Sequence, residues 1–493
     1  MNNSGPRITV SMETTYITGP LRPDGMVDYL AAVSEHCRQG VTPENNAAVL
    51  LLQAIGPKEV PEQGREQFYK MLGIPPLPEE GDYLVPFLEY AGRAADRPPA
   101  GSPGESRWRK RMEKQFNQAL ARPWARAEFP MVAAWLKASE RPLTTIVACT
   151  GRPKMYWPMV SPENGLMADS TFCGGMGELR SAAQAIKARA MFRAGSGNAA
   201  DAFQDLFACH RLARLCAQKP LLVDGLVASV LDGIAWSGDI ALVHHANLNK
   251  GQLGRFRADL ESLPPMPQTG VANYFGEQPF CLEMVCGLAR GEPLICKSLF
   301  ESALSGSQAV KGLRKLAADP RLDWDQVLRA INTWYGKAVE ADRNATYGRR
   351  HEALKAIESE ISATARNVEN AKRLAQLLSP KGSADELSRQ TAAALFNQSG
   401  GCFWDVAGVD PKEQARERLR DLAIALALYH NDHGKYPGNL AELVPKYIAR
   451  LPKDPFSEED FRYELHGIGY RLSSSVVADG IPPISIRTPD QVQ

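Results

Sequence analysis

The stretch "ALYHNDHGKYPGNLAELVPKYIARLPKDPF", residues 427–456, constrains the fold of this 493-residue chain more than any other. Its glycines, prolines and capping residues predict where each local element begins and ends. Gly434 is expected to end a helix in the left-handed conformation. Asn439 is expected to cap a short helix. The two prolines that bracket Asp454 fix an extended turn in which its carboxylate can bond the local backbone.

The helix that precedes Gly434 has a charged first half and an apolar second half. Its apolar stripe comprises Ala415, Leu419, Leu422, Leu426 and Tyr429. That spacing predicts a helix over residues 411–433 whose second half is covered by other elements. Strict alternation in "FRYELH" and "YRLSSS", on either side of residues 467–469, predicts a hairpin. Residues 411–475 are therefore expected to form one helix that lies across a small antiparallel sheet.

Length and charge bound the functional classes. A chain of 493 residues is too long for one ordinary core, so about two to four domains are expected. The formal net charge is +1, which gives no electrostatic basis for binding nucleic acid. The densest basic run, residues 107–114, is expected to be the solvated face of a helix.

The apolar runs, the N-terminal sequence and the cysteines bear on membrane insertion and on the cellular compartment. No transmembrane segment is expected, because the apolar run near the C-terminus covers only residues 422–429 and a spanning helix needs ~20 residues. The N-terminal sequence "MNNSGPRITVSMETTYITG" lacks the apolar core of a secretory signal. The nine cysteines show no CxxC spacing, so neither a zinc site nor a disulfide framework is indicated. Free thiols in a reducing cytoplasm are the simplest interpretation.

The middle of the chain has the most regular helical pattern, and residues 178–236 predict three consecutive helices. The first ends at Gly195, and Asn198 caps the second. Pro220 separates the second from the third. The stretch "AADAF" resembles the small-residue-then-aromatic step of tetratricopeptide repeats, although the fuller repeat consensus is absent. An irregular, solenoid-like helical array is therefore predicted.

These patterns predict a mainly α protein in three parts. Residues 1–95 are expected to form an N-terminal extended arm and helices, residues 105–405 the helical array, and residues 410–493 the small α+β module. In the first part, Thr42 is predicted to cap a helix that stops at Gly56.

The irregular span 142–177 carries the candidate chemistry. Its prolines and glycines predict a segment that wraps the surface or contributes to a cleft. Three glycines, 174, 175 and 177, precede a helix whose amides could bind an anion and lower the pKa of Cys173. No histidine stands out as a base for this cysteine. A flexible turn with a buried Cys173 is the favoured interpretation.

Two histidine pairs could suggest other sites. His244 and His245 end an apolar helix, where an imidazole favourably meets the negative helix end. His430 and His433 share one helix face, but they supply two ligands where a catalytic zinc takes three from the protein. All four are therefore expected to act at helix ends rather than in catalysis or metal binding.

Glu283 lies in an apolar run between Cys281 and Cys286. Periodicity alone does not decide which face it takes. On these grounds the sequence assigns no catalytic, cofactor-binding or metal-binding residue.

The C-terminal residues resemble the globular head of type II secretion major pseudopilins. That family shows a helix ending in an Asp-x-Gly-x-Tyr-Pro step, then Leu-Pro-x-Asp-Pro-aromatic, then a hairpin. The matching positions are Asp432, Gly434, Tyr436, Pro437, Leu451, Pro452, Asp454, Pro455 and Phe456. The resemblance covers about the last 80 residues and implies a fold rather than an activity. Pseudopilin heads hold calcium after the hairpin, where Asp479 is the only matching carboxylate here, so no cofactor is expected.

Four further stretches together resemble a family of uncharacterised, multi-helical planctomycete proteins. They are "TTYITGPLRPDGMVDYLAAV", "VTPENNAAVLLLQA", "DLFACHRLARL" and "ALYHNDHGKYPGNLAEL". This resemblance runs nearly end to end, and it implies no particular activity.

The leading expectation for function is a non-enzymatic helical scaffold that binds another protein. It rests on the solenoid-like middle and on a C-terminal module that resembles part of an assembly system. The alternative is a hydrolase-type enzyme with its site near residues 142–177 and Cys173. A pocket that brings Cys173 within hydrogen-bond reach of a histidine or carboxylate would favour the enzyme, and a broad groove without such a cluster would favour the scaffold.

Overall fold

The computed structural model describes residues 8–60, 62–95, 97–161, 165–170, 176–268, 270, 273–300, 307–344, 346–399, 409–475 and 483–488. Within these residues the chain is mainly helical, with a small three-stranded antiparallel sheet near the C-terminus. The predicted mainly α class is therefore confirmed.

The helices fall into two halves of the chain. The first half contains α1 (Tyr29–Arg38), α2 (Ala47–Ile55), α3 (Arg65–Leu72), α4 (Phe87–Ala91), α5 (Pro103–Ala121), α6 (Pro130–Ala138), α7 (Glu140–Cys149), α8 (Met176–Gly195), α9 (Ala199–Cys216) and α10 (Leu222–His245). The second contains α11 (Lys250–Glu261), α12 (Gln278–Arg290), α13 (Pro293–Phe300), α14 (Gln308–Ala317), α15 (Trp324–Asp342), α16 (Tyr347–Glu369), α17 (Ala371–Leu377), α18 (Ala384–Ser399) and α19 (Val409–His433). Short 3₁₀ turns lie at Pro57–Glu59, Met167–Asp169 and Leu440–Leu443, and a π turn at Asn273–Glu277.

The three helices predicted in the middle are α8, α9 and α10, and their breaks lie where the sequence places them. The Asn198 side chain accepts a hydrogen bond from the Asp201 amide, which caps α9. Each of these helices packs against the other two. The structure therefore confirms where the three helices of this region begin and end.

Two large apolar cores organise the helical part. One joins buried residues between 47 and 91 to buried residues between 108 and 260. The other joins buried residues between 8 and 33 to buried residues between 281 and 396. Apolar side chains of the predicted N-terminal part, residues 1–95, thus contribute to both cores.

Part of the span 142–177 differs from the irregular segment, on the surface or in a cleft, that the sequence predicts. Residues 142–149 belong to α7, because a proline within the first turn of a helix removes no required hydrogen bond. Residues 155–157 and 159–160 are buried. Asn46 makes this burial possible, since its side chain donates to the Tyr156 carbonyl at 2.9 Å and accepts from the Tyr156 amide at 2.9 Å.

The same asparagine corrects the predicted start of the second helix. Thr42 does not cap α2, which begins at Ala47 with Asn46 as its cap. The Asn46 carboxamide oxygen accepts from the Ala48 amide at 3.1 Å while it also holds Tyr156. A tertiary contact therefore moves the helix start by one turn. The helix still ends at Gly56, as predicted.

The C-terminal module has the predicted form. Helix α19 ends at His433, and Gly434 has a φ of 69°. Asn439 caps the 3₁₀ turn, and the Asp454 carboxylate accepts from the Phe456 amide at 3.0 Å. Strands β1 (Arg462–His466) and β2 (Gly469–Ser473) form the hairpin. A short strand that the sequence did not predict, β3 (Ser485–Arg487), pairs with β2.

Apolar residues of α19 form the core of this module with the sheet. Leu419, Leu422, Leu426 and Tyr429 share one buried cluster with Tyr470 and Leu472 of β2. Ile424, on the opposite side of α19, belongs instead to the core of the helical part. The helix α19 is therefore covered on both sides, which explains why its second half is apolar nearly all round.

Candidate functional site

Not all of the residues that the sequence singled out belong to the described part of the chain. Cys173, Gly174, Gly175 and Asp479 lie outside the described residues. The hydrolase interpretation that rests on Cys173 therefore stays a prediction.

The His430 and His433 side chains contact tyrosines. His433 Nε2 lies 3.2 Å from the Tyr447 hydroxyl, and the His430 ring packs on Tyr436 with 4.7 Å between centroids. The carboxylate of Asp432, between them, accepts hydrogen bonds from the Tyr447 hydroxyl and the Lys446 ammonium, both at 2.7 Å. These contacts fasten the end of α19 to the following loop.

His244 lies at the end of α10, as predicted, and its ring contacts a side chain of the sheet. Its Nε2 lies 3.0 Å from the Tyr470 hydroxyl of β2. Burial lowers the pKa of its imidazole to about 4, so the ring is neutral at physiological pH. His244 therefore joins the end of α10 to the sheet as a neutral hydrogen-bonding group.

Glu283, whose face the sequence left open, points inward and is 3% exposed. One carboxylate oxygen accepts from Arg22 at 3.1 Å, and the other accepts from the Ala168 amide at 3.1 Å. Burial raises the pKa of this carboxyl to about 6, against the effect of these donors. Glu283 thus ties the N-terminal segment and residues 165–170 to α12.

A buried charge cluster, which the sequence analysis missed, joins the helical part to the C-terminal module. His210 of α9 is fully buried between two carboxylates of α10: its Nδ1 lies 2.7 Å from Asp232 and its Nε2 lies 2.9 Å from Asp239. Arg420 of α19 donates to the Asp239 carboxylate at 3.2 Å. Arg214 donates to the Asp232 carboxylate at 3.1 Å. We call these five residues the His210 cluster.

The protonation of the His210 cluster follows from its geometry. Burial disfavours the charged imidazole, but Asp232 and Asp239 outweigh that effect and raise the pKa of His210. Although burial works against ionisation, His210 and Arg214 lower the pKa of Asp232. Two polar atoms of the cluster, Asp239 Oδ1 and Arg420 Nε, have no hydrogen-bond partner among the described residues. No member of the cluster is more than 7% exposed, so its chemistry concerns the joint between the two parts rather than a ligand.

One sequence signal could have located the cluster. Asp232 and Asp239 lie seven residues apart in an apolar helix, on the same face. Carboxylates on the buried face of a helix require partners. Arg420 of α19, the partner of Asp239, is 181 positions away in sequence, and no local pattern identifies it.

Helix α10, which carries Asp232 and Asp239, is long and apolar enough to cross a membrane, judged by length and composition within the described residues. Half of its most apolar window is buried inside the protein. Asp224, Asp232 and Asp239 along it are each at most 3% exposed and have cationic partners within the chain. Such charges are costly in a bilayer core, and here they serve tertiary packing.

Two adjoining clefts lie at the surface of the same joint. The first, which we call the α11–α19 cleft, has a volume of about 580 Å³ and lies between α11, α19 and residues 448–453. Its charged lining consists of Arg257, Arg418, Arg450 and Lys453 with Glu261 and Asp421. Four cationic side chains thus face two carboxylates.

Two of these arginines are fixed by main-chain carbonyls. Arg257 donates to the carbonyls of Tyr447 and Asp421 at 2.7 and 3.1 Å. Arg418 donates to the Lys453 carbonyl at 2.7 Å. The walls of the α11–α19 cleft are therefore held in place by hydrogen bonds between α11, α19 and the 448–453 segment.

The second cleft, of about 550 Å³, shares Arg418 and Lys453 with the first. It is lined by Asp342 and by the ion pair of Arg350 and Asp410, whose charged atoms lie 3.0 Å apart. Burial raises the pKa of Asp342 to about 6; Arg350 opposes this rise, and Asp410 adds to it. Neither cleft, as far as the described residues show, is lined by a cysteine or histidine.

Within the described part of the chain, no group of three or more histidine, cysteine, aspartate or glutamate side chains is arranged to hold a metal ion. Comparison with known proteins finds no protein-family model, no curated protein and no solved structure that matches the chain.

Proposed function

We propose that this protein is a non-enzymatic helical scaffold that binds another protein. The observation that carries the proposal is the α11–α19 cleft, whose arginines Arg257 and Arg418 are fixed by main-chain carbonyls at the joint of two parts of the chain. Fixed side chains lose little further entropy when a partner binds, which favours recognition. The charged groups of this cleft suit recognition better than nucleophilic chemistry.

Two resemblances in the sequence support the proposal. The order of helix, Tyr-Pro step, Asp454 turn and hairpin is that of pseudopilin heads, which are parts of a secretion assembly. The planctomycete family that the sequence resembles is also multi-helical, and the resemblance implies no particular activity. We propose on these grounds that the helical part is a solenoid-like array and that the C-terminal module has the pseudopilin-head fold.

Affinity capture tests the proposed function. The full chain, immobilised, is exposed to lysate of the native host, and captured proteins are tested as purified proteins by calorimetry. The expected result is a protein that binds stoichiometrically and saturably. In parallel, an electrophilic thiol probe and a panel of ester and amide substrates test the hydrolase alternative. Substrate turnover that is lost in Cys173→Ala, with no stoichiometric protein partner, would overturn the proposal.

We also propose that the protein acts in the cytoplasm. The cysteine pattern supports this location. Cell fractionation should recover the full chain with the cytosolic proteins. Recovery only after detergent extraction of membranes would contradict the proposed location.

A further inference from the structure

The 448–453 segment leaves main-chain groups unpaired beside a cationic surface. The amides of Ala449, Arg450 and Leu451 donate no backbone hydrogen bond to any described residue, and their carbonyls accept none. All three residues line the α11–α19 cleft. Unpaired main-chain donors and acceptors along a cleft are the groups that an extended peptide can engage.

The charges around these groups define what kind of peptide fits. Among the described residues the Arg450 guanidinium has no ion-pair or hydrogen-bond partner, and it is exposed. Arg418 lies on the same cleft. Lys453 lies there as well, and its ammonium forms an ion pair with Asp460 at 2.9 Å. Glu261, one of the two carboxylates of the cleft, is exposed. Among the residues that line the cleft, four cationic side chains face two carboxylates. A partner segment with several carboxylates complements this lining.

From these observations we infer that the α11–α19 cleft binds an extended, acidic peptide segment of a partner protein. The peptide backbone pairs with main-chain groups of residues 449–451, and its carboxylates contact Arg450 and Arg418. Charge-assisted hydrogen bonds to arginine supply the stronger contacts, and the main-chain contacts supply the preference for an extended segment. This inference rests on the proposed function, since it names the class of partner that the scaffold binds.

The direct test is fluorescence anisotropy with the full chain and a labelled peptide of alternating Glu and Ala, about eight residues long, which is about 26 Å when extended. We expect saturable binding that weakens as ionic strength rises. The variant Arg450→Glu should weaken binding by about tenfold or more. Arg109→Glu is the matched control, because Arg109 is an exposed arginine of α5 that does not line the cleft. It should leave binding unchanged.

Two further probes separate the peptide from other anions. The same acidic peptide with alternate amides N-methylated keeps its charges but loses main-chain donors, and it should bind about tenfold more weakly. A peptide of alternating Lys and Ala should not bind. Equal binding of the N-methylated peptide, or displacement by inorganic phosphate or an RNA oligonucleotide at matched charge concentration, would overturn the inference. Acidic peptide binding that is unaffected by Arg450→Glu would overturn it as well.

The two proposals fail in different ways. A captured partner that binds Arg450→Glu as tightly as the wild-type protein would leave the scaffold function standing and overturn the acidic-peptide inference. Acidic peptide binding that depends on Arg450, without any captured partner, would support the cleft and contradict the scaffold function.

Discussion

Arg420 of α19 donates a 3.2 Å hydrogen bond to the carboxylate of Asp239 on α10, across 181 positions of sequence. The side chains are 7% and 0% exposed. A buried pair of this kind fixes how the C-terminal module sits on the helical part, because each charge would be costly to bury without the other.

Removing one partner of this pair should therefore destabilise the protein strongly. We expect Arg420→Ala or Asp239→Ala to lower the free energy of unfolding by about 3–5 kcal/mol, since each leaves an uncompensated buried charge. The double variant Arg420→Ala, Asp239→Ala should lose less than the sum of the two single losses. Urea unfolding monitored by circular dichroism measures these differences.

An exposed arginine provides the control for that cycle. Arg471→Ala, on the outer face of β2, should change the free energy of unfolding by no more than about 0.5 kcal/mol. Strictly additive losses for Arg420 and Asp239 would show that the two side chains do not act as a pair.

His210 should make stability fall as the pH rises. Its pKa is raised in the folded protein because Asp232 and Asp239 face it from α10 and outweigh its burial. The cationic groups that face the same cluster are Arg214, on the helix of His210, and Arg420 on α19. A raised folded pKa stabilises fully below the unfolded value of about 6.5, and the stabilisation is lost as the pH rises through the folded pKa.

The test is urea unfolding of the wild-type protein and His210→Gln at a series of pH values from about 5 to 9. The free energy difference between the two should shrink as the pH rises, because glutamine does not titrate. A difference that is constant with pH would contradict a charged His210 in the folded state. The same measurement on His351→Gln, a histidine of α16 outside the cluster, provides the control.

Glu413 should contribute a pH dependence of its own. Burial, with Asp232 nearby, raises the pKa of its carboxyl from an ordinary 4.5 to about 8. Its stabilising contribution is therefore complete below pH 4.5 and is lost as the pH rises toward 8. Glu413→Gln keeps the neutral shape, so relative to the wild-type protein it should gain more than about 1 kcal/mol of unfolding free energy between pH 5 and pH 8. Equal pH profiles for the two proteins would show that the carboxyl is not held neutral.

His430 and His433 should not bind a functional metal. Their rings contact Tyr436 and Tyr447, and Asp432 is occupied by Lys446, Lys250 and the Tyr447 hydroxyl. Elemental analysis of purified protein is expected to show no stoichiometric zinc, and a chelator should leave the thermal midpoint unchanged. Stoichiometric zinc that disappears in the variant His430→Ala, His433→Ala would contradict this prediction.

The C-terminal module could be predicted from the sequence because its signals are local. Gly434 ends α19, Asn439 caps the 3₁₀ turn, and alternation marks the hairpin, each within a few residues of the element it defines. Strand β3 escaped prediction because it has only three residues and its partner lies across the sheet.

Long-range partners explain what the sequence could not predict. The start of α2 depends on Asn46, which a segment 110 positions away engages through Tyr156. The His210 cluster combines three helices, and its cationic member on α19 lies among other charged residues that look solvated in sequence. The α11–α19 cleft likewise unites α11 with residues 448–453, and such joints follow from tertiary packing rather than from local patterns.

Photo-crosslinking from the α11–α19 cleft tests the central claim most directly. A benzoylphenylalanine placed at the exposed Ala449 position would be irradiated in lysate of the native host, with a control at the exposed Arg109 position. We predict a discrete adduct with one protein from position 449 that is absent from position 109. Excess acidic Glu–Ala peptide should suppress this adduct, whereas the Lys–Ala peptide should not. No adduct from position 449, or the same adduct from both positions, would contradict the account.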